Sequence, residues 1–171
     1  MTIRTVLTYP DPFLRQKADP VTEFGATLDD LIVDMAETMW EEPGIGLAAP
    51  QVGVGLQLFV YDLEVSGDLD KVQVVCNPTF TLLEGSEVDE EGCLSVPGFH
   101  SEVKRAERVV MQGRDRNGEP IELDVTGLHA RLLQHETDHL NGILFIDRLS
   151  ALKRSIFKRR FKKQQAANVV A

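Results

Sequence analysis

Hydrophobic and polar positions divide this chain of 171 residues into a helical beginning, a middle of short strands and a helical end. In the first stretch, apolar side chains recur every three or four residues, at Leu28, Ile32, Met35 and Met39. This period predicts a helix with one buried face. Thr27 is expected to cap its N-terminus, and the pair Pro43-Gly44 is expected to end it.

Several segments in the middle of the chain have the β-branched and apolar composition of strands. They are Leu56 to Tyr61, Val72 to Cys76, a stretch near Val103 to Gly113, and Ile121 to Val125. The pair Asn117-Gly118 separates the last two and favours a hairpin turn there. A run of strands between helices indicates an α+β fold, with small mixed or antiparallel sheets around a central helix, rather than alternating βαβ units.

A second helical period covers residues 126–141, and Gly142 is well placed to follow its last turn. One face of this helix carries two leucines and two histidines at spacings of four, three and four residues. These residues are Leu128, Leu132, His135 and His139. The two histidines therefore continue the apolar stripe that is expected to face the core.

Two buried imidazoles without partners would be costly, so a shared metal ion is favoured over two histidines simply packed in the core. His135 and His139 are four residues apart and project from the same side of a helix. Glu136 lies between them in sequence and can act as general base toward a water on such a metal. The segment is therefore a candidate hydrolytic metal site.

Composition is ordinary for a globular protein, with 43% apolar and 26% charged residues, and we expect one domain over residues 1–171. No apolar run approaches the length of a membrane span, and the first residues lack the apolar segment of a signal peptide. We therefore expect no membrane association and a cytoplasmic location. In a reducing compartment Cys76 and Cys93 are expected to be free thiols or ligands rather than a disulfide.

Charge is distributed unevenly within the net value of −9. Residues 153–163 hold seven of the 18 basic residues, and without them eleven basic residues face 27 acidic ones, a balance of −16. An acidic body with a basic C-terminal helix and tail, over about residues 150–171, is predicted. One interpretation is a solvated amphipathic helix that docks through Ile156, Phe157 and Phe161 and exposes its lysines and arginines. The other is attraction to an anionic surface, since clustered basic charge favours binding to RNA.

The sequence leaves the third metal ligand open, although a hydrolytic metal needs about three. An extended zinc-peptidase pattern would require a histidine where this chain has Phe145. His129 lies roughly 120° away from the ligand face, at about 100° per residue, and His100 has no supporting context. Cys93 lies in a turn-like segment with a glycine, and a thiolate suits a borderline divalent metal. A small buried hydrophobe is the alternative, which Cys76 fits better.

The segment Gly-Ile-Gly-Leu-Ala-Ala-Pro-Gln at 44–51 contains a string that could suggest a dinucleotide-binding turn. That turn follows a strand and opens a helix, whereas this one follows a helix, and Pro50 and Gly53 interrupt any helix beginning here. We expect no nucleotide cofactor. An extended segment passing close to a ligand is favoured, with the Gln51 amide as an oxyanion donor. The alternative is a surface loop that contains a glutamine.

Three segments together resemble the bacterial peptide deformylases: Gly-Ile-Gly-Leu-Ala-Ala-Pro-Gln at 44–51, Glu-Gly-Cys-Leu-Ser at 91–95 and Gln-His-Glu-Thr-Asp-His at 134–139. The resemblance in order and spacing covers nearly the whole chain. It implies an enzyme that removes the formyl group from the initiator methionine of nascent polypeptides and releases formate. It also implies a ferrous ion, which zinc, nickel or cobalt can replace.

Residue roles follow from the same resemblance. It implies that the metal is held by Cys93, His135 and His139. It implies that Glu136 is the general acid/base toward a metal-activated water, and that the Gln51 side chain and the Leu94 backbone N–H stabilise the oxyanion. Contacts with the substrate are implied for Ile45, Gly46, Glu91, Leu128 and Leu132. Gly46 would offer backbone hydrogen bonds, which would explain its missing side chain, and Glu91 is also expected to pair with Arg105.

The chain departs from part of that family at His100, where many Gram-negative members have an arginine that holds the substrate backbone. Arg131 either compensates in part or is a solvated residue on its helix, and we favour the solvated residue. The resemblance implies formyl-methionyl nascent peptides as partners and, through the basic tail, ribosomal RNA. A metallopeptidase and a non-catalytic metal- or RNA-binding module are the alternative classes.

Overall fold

The computed structural model describes residues 2–170, so that Met1 and Ala171, the two ends of the expected domain, lie outside the described residues. In the described part, helices and strands follow the order predicted from the sequence. They are α1 (Ala26–Glu41), β1 (Gly46–Ala48), β2 (Leu58–Tyr61), β3 (Gln73–Glu84), β4 (Glu87–Cys93), β5 (Val96–Arg105), β6 (Arg108–Arg114), β7 (Pro120–Thr126), α2 (Gly127–Leu140) and α3 (Ala151–Val170).

The strands form two antiparallel sheets, which confirms the α+β architecture. Five strands pair in the order β1-β2-β3-β6-β7, and β4 pairs with β5 in a separate ribbon. The hairpin expected at Asn117-Gly118 is confirmed, because β6 and β7 pair without interruption on either side of it. Gly118 has a φ of 82°, the left-handed conformation that such a turn favours.

One strand prediction and one turn prediction differ in detail from the structure. The stretch near Val103 to Gly113 consists of the end of β5 and most of β6, which belong to different sheets. The segment around Cys93, predicted to be turn-like, is strand as far as Cys93, and the chain reverses at Leu94 and Ser95. β4 is acidic and weak in strand-forming residues, so its conformation depends on pairing with β5 rather than on local preference.

Helix α1 buries the predicted face, since Leu28, Ile32, Met35 and Met39 are at most 5% exposed. This face packs on β1 and β2. The N-cap is Gly25 rather than Thr27, and no side chain caps the helix. The backbone N–H of Asp29 already donates to the carbonyl of Gly25 at 2.9 Å, which places Thr27 inside the first turn.

Helix α2 is the central helix of the structure and contacts four strands of the larger sheet. Thr126 is its N-cap, Asn141 its C-cap, and Gly142 follows with a φ of 73°, as predicted. Leu132 is buried, but Leu128 is 58% exposed and departs from the predicted buried stripe. Leu128 lies in the first turn, at the mouth of a cavity, where the core no longer covers the helix.

Helix α3 carries the basic segment and docks through aromatic side chains. Phe157 is buried, and Phe161 packs on the ring of Tyr9 with centroids 4.8 Å apart. Ile156 is 37% exposed, so its predicted docking is wrong. Phe157 and Phe161 are four residues apart and dock from the same side of the helix. Ile156 comes one residue before Phe157 and therefore lies on a different side. None of the described helices has the length and apolar character needed to cross a membrane.

Gly142 supplies a stability test for the end of α2. Its left-handed φ alone makes Gly142→Ala unfavourable by about 1–2 kcal/mol, and the added Cβ would overlap the carbonyl oxygen of Arg15. Gly127 also has a positive φ, 61°, but a Cβ there meets no atom within 4 Å. Urea unfolding should therefore show a larger loss for Gly142→Ala than for Gly127→Ala, and equal losses would contradict this account.

Candidate metal centre

Three metal-ligand atoms converge where the end of β4 meets α2. The donor atoms of Cys93, His135 and His139 all lie within 4.8 Å of one another. The Cys93 Sγ is 3.3 Å from Nε2 of His139, which is also 3.3 Å from Nε2 of His135. One thiol and two imidazoles at this separation fit a single borderline divalent cation, with a further coordination position left for water or substrate.

The other candidates for the third ligand do not join this group. The Nε2 atom of His129 is 2.9 Å from the hydroxyl oxygen of Tyr61, on a different side of α2. His100 is exposed, with its ring against Gly92. Phe145, at the third histidine position of the zinc-peptidase pattern, is buried and stacks beside His135, with ring centroids 6.2 Å apart. Of the candidates weighed from the sequence, only Cys93 joins the two histidines.

The thiol of Cys93 is placed by the tight reversal that joins β4 to β5. The backbone N–H of Ser95 donates to the Cys93 Sγ at 3.4 Å, which helps to fix the position of the sulfur. Cys76, in contrast, is fully buried, and burial raises the pKa of its thiol to about 12. The two cysteines therefore differ as expected, one near the candidate ligands and the other a small core residue.

Glu136 lies beside this group, with its side chain held in a narrow space. It is 4% exposed, and its Oε2 has no hydrogen-bond partner among the described residues. Burial raises the pKa of Glu136 to about 7, against the opposing effect of a charge on His135. A carboxyl group with a pKa near neutrality is suited to accept and return a proton.

Gly46 explains how Glu136 reaches this position. A Cβ on Gly46 would lie 2.6 Å from the Glu136 Oε1, so the carboxylate would have to leave its present position. The structure therefore gives a different reason for the glycine than the substrate contact expected from the sequence. The segment from Gly46 is also not a dinucleotide turn, because it forms β1 and then a short 3₁₀ turn at Ala49–Val52.

Gln51 is 2% exposed and points its amide nitrogen at the same centre. Its Oε1 accepts a hydrogen bond from the backbone N–H of Ala48 at 2.9 Å, which fixes the orientation of the amide. Its Nε2 consequently donates to the Ser95 Oγ at 3.0 Å and lies 3.7 Å from the Cys93 Sγ. Gln51 is therefore a buried hydrogen-bond donor with a fixed orientation rather than a residue of a surface loop.

The buried carboxylate of Glu91 contacts the ring of His135. Glu91 accepts from the Nε and Nη2 atoms of Arg105 at 2.8 and 2.9 Å, which confirms the expected pair, and its Oε1 is 2.9 Å from Nδ1 of His135. Burial opposes ionisation of Glu91, but hydrogen bonds with Arg105 and His135, together with their charges, hold its pKa well below the ordinary value.

Arg131 takes part in this cluster, so its interpretation as a solvated residue is wrong. Its side chain is buried and donates to the Glu91 Oε2 at 2.7 Å and to the carbonyl of Val103 at 2.8 Å. The partners are 40 and 28 residues away in sequence, so helical position alone could not identify them. With its donors used in this way, Arg131 holds β4 and β5 against α2.

Asp138 and Arg148 extend the cluster around Glu91 to the surface, and neither of them was identified from the sequence. Asp138 accepts from Nη1 of Arg105 at 2.6 Å and from both Nε and Nη2 of Arg148 at 2.7 Å each. The position of Asp138, three residues after His135 in the histidine motif, is a sequence signal that could have identified it. Arg148 follows α2 in a separate 3₁₀ turn and has no such signal.

A cavity of about 510 Å³ opens onto the candidate metal ligands Cys93 and His135. It is bordered by all five residues for which substrate contacts were expected, namely Ile45, Gly46, Glu91, Leu128 and Leu132. Leu94 also borders it, at the reversal between β4 and β5. The cavity is thus apolar on one side and carries the candidate metal centre and Glu136 on the other.

Known proteins match this chain over most of its length. The family model described as polypeptide deformylase matches residues 3–155. A peptide deformylase of Thermodesulfovibrio yellowstonii is 50% identical over 162 residues, which cover 95% of this chain and 98% of that protein.

Solved structures agree with the sequence match. The crystal structure of a peptide deformylase from Legionella pneumophila has a TM-score of 0.88 at 48% identity and covers 96% of this chain and 98% of its own. A peptide deformylase from Plasmodium falciparum has a TM-score of 0.90 at 31% identity, with 97% and 98% covered. Sequence, fold and site residues therefore lead to one conclusion: the chain belongs to the peptide deformylase family, and it is a hydrolase.

Proposed function

We propose that this protein hydrolyses the formyl group from the initiator methionine of nascent polypeptides, with formate and a free amino terminus as products. The observation that carries the proposal is the convergence of three kinds of group on one cavity. Cys93 and the two histidines offer a metal site, Glu136 offers a buried carboxylate, and Gln51 offers a fixed amide donor. Metal-assisted hydrolysis of an amide uses these three elements: a metal, a general acid/base and an oxyanion donor.

Cys93, His135 and His139 would hold one divalent metal, for which we propose ferrous iron with zinc, nickel or cobalt as substitutes. When bound, such a metal would polarise the formyl carbonyl and lower the pKa of the attacking water. An anionic thiolate gives more charge to the metal than a third imidazole would. Proton transfer by Glu136 is correspondingly more important here.

The chain's own residues would then act in a defined order. Glu136 takes a proton from the attacking water and later gives it to the leaving amine. Nε2 of Gln51 and the backbone N–H of Leu94 donate to the oxygen that becomes negative. The apolar side of the cavity, formed by Ile45, Leu128 and Leu132, receives the methionine side chain.

Glu91 is better explained as a positioning residue than as a substrate ligand. Both of its oxygens already accept hydrogen bonds, from Arg105 and Arg131, and one of them also contacts His135. A carboxylate partner on Nδ1 fixes the ring orientation and leaves Nε2 for a metal. Gly46 retains a role beside the substrate because it borders the same cavity.

The basic face of α3 is the proposed contact with ribosomal RNA, which would place the enzyme where nascent chains emerge, in the cytoplasm. Lys158 and Lys162 are exposed on it, four residues apart. The double change Lys158→Glu/Lys162→Glu should lower ribosome affinity at least about ten-fold at low salt, since phosphate contacts dominate such binding. Lys71→Glu/Lys104→Glu removes the same charge elsewhere and serves as control in a co-sedimentation assay. Unchanged affinity in the α3 variant would exclude this contact.

Glu136→Gln tests the proposed reaction. The wild-type protein, prepared without oxygen and analysed for metal, should release formate from a formyl-Met peptide and leave an unformylated peptide intact. Glu136→Gln should keep its metal and lose about 10²–10⁴ of the turnover, the usual contribution of general acid–base catalysis. Glu90→Gln, an exposed carboxylate at the same cavity, is the matched control. Peptide-bond cleavage, or full turnover by Glu136→Gln, would refute the proposal.

Arg148→Gln tests whether the ion-pair cluster positions His135. Without the Arg148 guanidinium, Asp138 would compete with Glu91 for Arg105. We therefore expect Zn²⁺ or Co²⁺ to bind about ten-fold more weakly, which is at the low end of the effect of changing residues that contact metal ligands. Arg108 forms a similar two-bond pair with Asp124 at the surface, without a contact to the cluster around Glu91, and Arg108→Gln is the control. Chelator competition gives both affinities, and identical values would show that Arg148 does not support the metal ligand.

A further inference from the structure

A second groove borders the active-site cavity on the side of the C-terminal helix. Its volume is about 480 Å³; one wall is α3, and the other contains Thr8, Tyr9 and the beginning of β5. Val96, Pro97 and Gly98 line both this groove and the active-site cavity. The two spaces are therefore separated only by the first residues of one strand.

The passage between the two spaces is open. Pro97 and Gly98 are exposed, and a Cβ built on Gly98 would meet no atom within 4 Å. A nascent polypeptide has many more residues than the active-site cavity can hold, so its remainder must leave across the rim. An extended chain that crosses Pro97 and Gly98 enters the groove directly.

The floor of the groove is a fixed aromatic surface. Phe157 is buried against Phe99, with ring centroids 4.8 Å apart, and Tyr9 lies edge-on to Phe161 at the same distance. Tyr9 and Phe161 are only partly buried and face the groove. Aromatic rings held in this way offer apolar contact to side chains of many kinds.

The rim is polar and nearly uncharged. It carries the exposed side chains of Arg160, Gln164, Gln165 and Asn168 from successive turns of α3. Amide side chains both donate and accept hydrogen bonds, as a peptide backbone does. A rim of amides over an aromatic floor therefore suits an extended polypeptide of varied sequence. A nucleic acid would require more positive charge than Arg160 alone provides.

We propose that this groove binds the part of the substrate polypeptide that follows the residues held in the active-site cavity. The inference rests on the proposed function, because only a reaction at the end of a long chain gives the groove this occupant. Binding in the groove is the same in the ground state and the transition state, since no reacting atom lies there. It therefore lowers KM and leaves kcat unchanged.

The test compares two formyl-Met peptides. The short peptide has three residues, and the long peptide begins with the same three and continues with about six uncharged residues. With the metal-loaded full-length protein, the longer peptide should have a KM about ten-fold lower, equivalent to ~1.4 kcal/mol, at the same kcat. Equal KM values for the two peptides would overturn the proposal.

Paired variants locate the effect on α3. Arg160→Ala/Gln164→Ala removes two side chains that line the groove, and Arg159→Ala/Lys163→Ala removes two at the same spacing that do not. The KM for the short peptide divided by the KM for the long one should fall toward one in Arg160→Ala/Gln164→Ala. In Arg159→Ala/Lys163→Ala the same ratio should stay at the wild-type value. Because the control removes more positive charge, a general electrostatic effect of the tail would appear there more strongly.

The outcomes separate this inference from the proposed function. Failure to deformylate the short peptide refutes the function alone, and fluorescence anisotropy with a labelled long peptide still measures binding in the groove. A length advantage that survives Arg160→Ala/Gln164→Ala, or that disappears equally in the control, places the remainder of the substrate elsewhere and rejects the groove.

Discussion

The buried carboxylate of Glu91 joins the elements that form the candidate site. It comes from β4, accepts hydrogen bonds from Arg105 of β5 and Arg131 of α2, and contacts His135. Two arginines and a carboxylate withdrawn from water are costly unless each is paired, and removal of one partner from such a cluster costs about 3–5 kcal/mol. The two-stranded ribbon is thereby fixed against the central helix, and Cys93, two residues beyond Glu91, arrives beside the histidines.

This arrangement also accounts for the strand that local preference does not predict. β4 contains four acidic residues among seven and would be a poor strand in isolation. Pairing with β5 satisfies the backbone groups along one of its edges, and the cluster around Glu91 pairs one of its charges in the interior. The acidic segment is therefore an edge element stabilised by contacts that are distant in sequence.

The sequence predicted best those features that repeat along a helix. The stripe of α1, most of the stripe of α2, and the place of Gly142 after the last turn of α2 follow from a 3.6-residue period and from backbone geometry, and the hairpin at Asn117-Gly118 follows from turn chemistry. Features that depend on a distant partner were not predictable in this way. The burial of Arg131 depends on Glu91, and Leu128 is exposed because a cavity opens beside the first turn of α2. Arg148 is related to the site only through the folded positions of Asp138 and Arg105.

The close approach of Gly46 to Glu136 has a consequence for variation in this chain. The two residues are ninety positions apart, yet the volume of one determines whether the other can stand where it does. A methyl group at position 46 would displace the carboxylate without removing any chemical group from the site. Positions 46 and 136 therefore share one volume, and a gain of size at position 46 has to be matched by a shift of the Glu136 carboxylate.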